Sequence, residues 1–231
     1  MTFDFGAILT PQYTQWMMWE ALTSLALFAL AWILAFLTAS LLVAIGSAPF
    51  RPAQALVASF VEYHRNIPML VQIFVWYFAM PQLLPDTWTR WINAHNSEFI
   101  FAVIALFLNA AAYMSEDMRS GLRSLPREQM EAGRALGLSY VQTMRDVLLP
   151  QAIRAALPPL INQSLALFKA TSLAMAVGVA EMTYASRQVE NETYRTFETF
   201  AIASAFYVTV SFAIMGLGAW ADRRNLAAAG R

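Results

Sequence analysis

The sequence predicts an all-α integral membrane protein with about five transmembrane helices, its N-terminus outside and its C-terminus inside. Three observations carry that expectation. Of 231 residues, 58% are apolar or aromatic and only 13% are charged, against about 45–50% and about 25% in ordinary soluble domains. Five stretches approach the roughly 20 apolar residues that a helix needs to cross the hydrocarbon core. The arginines also cluster on alternate connections between those stretches, as short cytoplasmic loops do. The formal net charge is zero and Cys is absent. That excludes a basic field for nucleic acid, a disulfide framework and a thiol nucleophile.

The first expected span covers residues 18–45. The segment before it, Met1 to Gly6, carries Asp4 and no basic run, so the span is expected to be retained rather than cleaved as a signal peptide. The second, 55–84, is interrupted by Glu62-Tyr63-His64-Arg65-Asn66 and then Pro68, which predicts a broken or partly interfacial helix. That island reads either as interfacial charges anchoring the break or as part of a gate. The third, fourth and fifth spans cover 99–118, 155–179 and 199–219. Arg51, then Arg119, Arg123, Arg127, Arg134, Arg145 and Arg154, then Arg223, Arg224 and Arg231 share one side; Arg90, Arg187 and Arg195 take the other. Trp16, Trp19, Trp76, Trp88 and Trp91 fall near span ends, like an aromatic belt. His64 and His95 have no companion at metal-ligand spacing, so no metal is expected.

Between the third and fourth spans, residues 124–150 carry too many helix signals for a slack connector. Ser124 is a candidate N-cap with Pro126 in the first turn. Gly137 suits the left-handed residue just past a helix end. Ser139-Tyr140-Val141-Gln142 reads as a capping box, and Pro150 is expected to end the second piece. Local physics equally allows a surface hairpin that merely joins two spans.

Within this loop Glu131-Ala132-Gly133, Gly137, Val147, Leu149 and Pro150 resemble the EAA loop of binding-protein-dependent ABC importer permeases, E-A-A-x3-G-x9-I-x-L-P. Gly133 replaces the second Ala and Val147 replaces Ile. Arg65-Asn66-Ile67-Pro68-Met69-Leu70-Val71-Gln72 is similar to the signature of the polar amino acid branch. Ala112-Tyr113-Met114-Ser115-Glu116 and Lys169-Ala170-Thr171-Ser172-Leu173 extend the likeness, whereas residues before about Gly46 match in hydropathy only. The resemblance implies a single membrane domain over 1–231 in a bacterial inner membrane. Its loop would be a cytoplasmic coupling helix that docks on a separate ATP-binding subunit. Glu131 and Ala132 would meet that subunit, Gly137 would make the turn, and Leu149 and Pro150 would set the re-entry direction. Implied partners are a dimer of ATP-binding subunits, a second permease subunit (itself or a paralogue), an extracytoplasmic solute-binding protein and a polar amino acid. The run from Trp76 to Pro85 and Asp4-Phe5-Gly6 look most like glutamate/aspartate permeases.

The residues themselves explain why ATP and Mg would be bound in trans. A phosphate loop needs G-x-x-x-x-G-K-[ST], and the single lysine here, Lys169, lies inside an apolar span. Ionisable groups at membrane depth cost about 2.5–3.5 kcal/mol on insertion scales and so face a cavity or a partner. Asn162, Lys169 and Ser172 are spaced by seven and three, one helical face; Asn109, Tyr113 and Glu116 are spaced by four and three, again one face. A polar substrate pathway between the two faces is one expectation. Pairing of Lys169 with Glu116 or a neighbouring chain is another, as is interhelical glue from Asn and Ser. A self-contained ion- or proton-coupled secondary transporter, with Lys169 and Glu116 as relay, stays open at this point. An integral membrane enzyme would need a nucleophile or metal motif, and neither G-x-S-x-G nor H-E-x-x-H occurs. If the loop is a mechanical coupler, Gly137→Val should uncouple ATP hydrolysis from uptake while membrane insertion stays normal. Wild-type uptake by that variant would remove the assignment.

Overall fold

Apolar length decides the architecture. In the computed structural model, which describes residues 3–47, 50–126, 128–139 and 142–229, four helical runs are long and apolar enough to cross a membrane. They are α1 (Pro11–Gly46), α5 (Ser97–Arg123), the run Thr143–Val177, and the last helix, α9 (Thr196–Ala229), over Thr196–Arg224. No strand occurs among the described residues. The second expected span is not one helix. It divides into α2 (Arg51–Asn66) and α3 (Met69–Phe74), followed by a π-helical turn Val75–Ala79 and a 3₁₀ turn Met80–Gln82. The break falls at Ile67-Pro68, where Ile67 is extended (φ −100°, ψ 131°). A residue preceding proline is driven out of the helical region.

A break inside the membrane body leaves the last carbonyls of α2 without helical donors, and lipid offers none. Side chains take them. Gln72 Nε2 donates to His64 O and to Ile67 O, both at 2.8 Å, Asn109 Nδ2 donates to His64 O at 2.8 Å, and Tyr113 Oη donates to Arg65 O at 3.2 Å. The Arg65 guanidinium lies 5.3 Å from the centre of the Tyr113 ring. Gln72 is 1% exposed, so its two donors are committed to this joint.

Helix α5 is the central post: half of its most apolar window is buried, against 6% for α9. Its approach to α1 uses small residues. Leu27, Ala31, Ala35 and Ala39, each four apart and fully buried, form a stripe packed with Ala102, Ala105, Leu106, Ala110 and Met114. Thr10 caps α1 by accepting the Tyr13 N–H at 3.3 Å, and Asn96, left-handed at φ 64°, caps α5 through the Phe99 N–H at 3.2 Å. Between α3 and α5 lies α4 (Asp86–Asn93).

The fourth span begins earlier than expected. A π-helical turn, Thr143–Leu148, runs straight into α7 (Leu149–Ala170) and then a 3₁₀ stretch, Thr171–Val177. Pro150 therefore does not end a helix; it occupies the first turn of α7, where its missing N–H is least costly. The preceding turn is widened, Leu149 N–H reaching Met144 O five residues back, which gives the proline ring room. The same device precedes Pro81, with Met80 N–H bonded to Val75 O. Gly178, at φ 89°, then reverses the chain into α8 (Met182–Thr193), a short helix packed between α1 and α9. Replacing Gln72 by Leu should remove two donors from the α2–α3 joint, leaving His64 O to Asn109 alone and Ile67 O without a side-chain donor. The expected loss is about 1–3 kcal/mol, read as a lowered thermal midpoint of tryptophan fluorescence in detergent.

Candidate functional site

The loop after α5 forms the compact elbow that its residues predict. Ser124 belongs to the helix before it: its N–H bonds Ser120 O at 2.9 Å and its Oγ donates to Gly121 O at 2.8 Å, so it closes α5 rather than opening the loop helix. Helix α6 spans Glu128–Ala135. Gly137, at φ 81°, makes the turn, with Gly137 N–H on Arg134 O (2.9 Å) and Leu138 N–H on Gly133 O (3.1 Å). The capping box is formed: Ser139 N–H donates to Gln142 Oε1 at 2.9 Å and Gln142 N–H to Ser139 Oγ at 3.3 Å. Arg127, Tyr140 and Val141 lie outside the described residues, as does Arg231.

The motif residues divide between two faces of α6. Glu131 and Ala132 are exposed, and so is Leu136 at the tip, 81% exposed, which sequence reasoning passed over. Gly133 points inward and is buried against Thr143, itself 0% exposed. A Cβ on Gly133 would stand 2.7 Å from Thr143 Oγ1, inside any real contact distance. Thr143 cannot easily yield, since its β-branched side chain is stiff and its Oγ1 donates to Ser139 O at 3.0 Å. The departure Gly-for-Ala in the motif is thus matched by the bulk of Thr143. Farther along, Gly121 on α5 crosses α7 at backbone contact, where a Cβ would lie 2.6 Å from Ala152 O and 2.9 Å from Ala156 Cβ.

The two polar faces expected to meet do not. Asn109 and Tyr113 are held on α2 carbonyls, and Glu116 pairs with Arg119 (2.8 Å) and Arg123 (3.2 Å) at the loop end of the same helix. Lys169 instead opens towards α9, into a groove of about 210 Å³ lined by Tyr207, Val208, Ser211, Phe212 and Met215. Among the described residues no carboxylate lies within ion-pair distance of Lys169. Ser172 Oγ donates to Lys169 O at 2.8 Å, which closes the end of α7, and Asn162 is exposed farther down that helix. Tyr207 and Ser211 carry no motif of their own, so only the tertiary structure reveals them beside Lys169.

Residues 37–226 match the family of binding-protein-dependent transport system inner membrane components. The chain belongs to this family. The glutamate/aspartate import permease protein GltJ of Escherichia coli K12 is 32% identical over 207 residues, 88% of this chain and 84% of that protein. The octopine transport system permease protein OccM of Rhizobium radiobacter is 38% identical over 168 residues, 70% of this chain and 68% of that protein. In a crystal structure of an amino acid ABC transporter with histidines, one chain is 28% identical with a TM-score of 0.85, covering 97% of this chain and 100% of that one. The MetNI methionine ABC transporter, inward facing, shares the fold at 20% identity and a TM-score of 0.75, covering 94% of this chain and 99% of that one. This permease is therefore an inner-membrane translocation component of an amino acid ABC importer. Gly133→Ala should push α6 off the π turn by overpacking, about 1–3 kcal/mol, and cut ATP-driven uptake at least tenfold at normal expression. Adding Thr143→Ala should restore most of it; failure of that second change to rescue would show that the contact is not steric.

Proposed function

We propose that this permease carries acidic amino acids, glutamate and aspartate before others, paired with a second permease subunit and moved by a dimer of ATP-binding subunits. An extracytoplasmic solute-binding protein would deliver the substrate. Lys169 supports the acidic class most directly. It is a cation on a membrane-spanning run, its groove holds no carboxylate among the described residues, and placing a charge there costs about 2.5–3.5 kcal/mol. A substrate rich in carboxylates satisfies it during passage. The likeness to GltJ supports the same class. Ser211 and Asn162 offer hydrogen bonds to either carboxylate or ammonium groups. Asn109, Tyr113 and Glu116 serve the route by shaping it, through the α2 joint and the base of α5, rather than by binding.

The loop supports the coupling role. Glu131, Ala132 and Leu136 present an exposed edge to a partner, while Gly133 seats α6 on the π turn that leads into α7. Displacement of α6 then reaches α7 through Thr143, and α5 where Gly121 meets Ala152 and Ala156. ATP and Mg belong to the docked subunit. The arginines of the loop favour its cytoplasmic side; with α1, the broken α2–α3 segment and α5 each crossing once, the N-terminus lies outside.

Proteoliposomes holding the complete complex should take up labelled L-glutamate in competition with unlabelled aspartate far more than with glutamine or arginine. Lys169→Met should lower that uptake about tenfold or more, the worth of one charge-assisted contact, with the complex still assembled. Indifference to acidic competitors would reject the acidic class. Accumulation by this chain alone, driven by an ion gradient without nucleotide, would instead support the secondary-transport reading.

A further inference from the structure

The carboxyl group of Glu181 lies buried at the meeting of three helices, and neither motif nor loop accounts for it. Glu181 is 0% exposed. Its Oε1 accepts the Tyr184 N–H at 2.9 Å and so caps the N-terminus of α8. Its Oε2 accepts the Tyr207 hydroxyl at 2.7 Å and the Ser24 hydroxyl at 3.3 Å. Ser24 Oγ in turn accepts the Met182 N–H at 3.0 Å. Counting 1.5 Å per residue, Ser24 stands about 20 Å along α1 and Tyr207 about 17 Å along α9. The group is therefore carried into the membrane body by the turn at Gly178. Among the described residues it has no Arg or Lys within ion-pair distance. Hydroxyls and helix-end amides satisfy it instead.

Tyr207 is the link outward. Its hydroxyl is spent on Glu181, with Thr183 Oγ1 3.1 Å away, while the residue itself walls the groove beside Lys169. Its ring also packs 5.4 Å from that of Phe168, the neighbour of Lys169 in sequence. Packing against Phe168 and Phe206 holds the ring, and its hydroxyl end is anchored by a carboxyl fixed by α1 and α8.

We propose that Glu181 is a positioning residue: acting through the Tyr207 hydroxyl, it sets the shape of the groove at Lys169 without touching the transported molecule. The proposal rests on the reading of that groove as the transport route. It predicts that Glu181→Met, which removes the acceptor, and Tyr207→Phe, which removes the donor, have the same consequence at the groove, because each breaks the one shared bond, and that the double variant adds nothing further there.

The absence of Cys allows a test independent of substrate. Ser211→Cys, placed in the whole complex in nanodiscs, reports water access to the groove through its rate of modification by a charged thiol reagent. With Glu181→Met or with Tyr207→Phe that rate should rise at least fivefold. The two changes combined should give the same rise, and Asn93→Cys, at the exposed end of α4, should be modified at an unchanged rate. Tyr207→Phe removes only one oxygen and leaves the cap on α8, so a folding defect does not decide the outcome. Unchanged rates at position 211, or additive effects, would overturn the positioning role while leaving the groove in place. No modification in the parent complex, or modification that excess L-glutamate does not slow, would overturn the groove reading itself and the proposal with it.

Discussion

A backbone amide or carbonyl inside a bilayer has no water to turn to, and this constraint organises the places where the chain departs from simple spans. Continuous helices such as α1, α5 and α9 meet it internally. The interrupted ones must recruit side chains. At the end of α2, Gln72, Asn109 and Tyr113 take the carbonyls of His64, Arg65 and Ile67. At the start of α8, Glu181 and Ser24 take the amides of Tyr184 and Met182. These five polar side chains, costly in lipid by themselves, each remove a second cost, the orphaned backbone group, though Gln72 leaves its own Oε1 buried without a partner. The prolines obey the same logic from the other side: Pro81 and Pro150 each follow a π turn whose wider spacing spares the preceding carbonyl a clash.

Those interruptions also decide what can move together. Where α5 crosses α7, Gly121 and two alanines bring the backbones into direct contact, with no long side chain between them to yield. Where α6 meets the π turn, Gly133 and Thr143 interlock in the same manner. A push on the loop is therefore not absorbed by side-chain rearrangement at either contact. By contrast the α2–α3 joint is hydrogen bonded rather than interdigitated, a geometry that tolerates rotation as long as the donors follow.

Much of this was legible in the residues. Long apolar runs located α1, α5 and α9, because the need to cross the bilayer sets a minimum apolar length, but the helices continue past the apolar stretch, by seven residues at the start of α1, five at the end of α5 and ten at the end of α9. Pro68 announced the break after α2. Ser139, Gln142 and Gly137 announced the elbow, since caps and left-handed turns are local chemistry. What failed was anything needing a partner element. Ser124 has the right type for an N-cap, but it sits one residue after Arg123 and closes α5 instead. Pro150 looks like a stop, and only the π turn before it lets the helix continue. Asn109 and Tyr113 lie on one face of α5 as their spacing requires, yet that face meets α2 rather than Lys169. Glu181 reads as one more acidic residue between two spans until Gly178 folds it inward.

The outer surface of α9 adds the last step. Phe212, Leu217 and Trp220 are 67%, 67% and 57% exposed, and lipid covers such side chains without penalty. Lipid does not satisfy Lys169, whose groove between α7 and α9 is walled in part by Phe212. A surface that is apolar along its length and cationic at one depth fits neither pure hydrocarbon nor pure water. A boundary where a second membrane subunit closes most of the face and leaves a polar passage at the lysine would meet both demands, so the position of the charge supports the proposed pairing, as does the small number of spans.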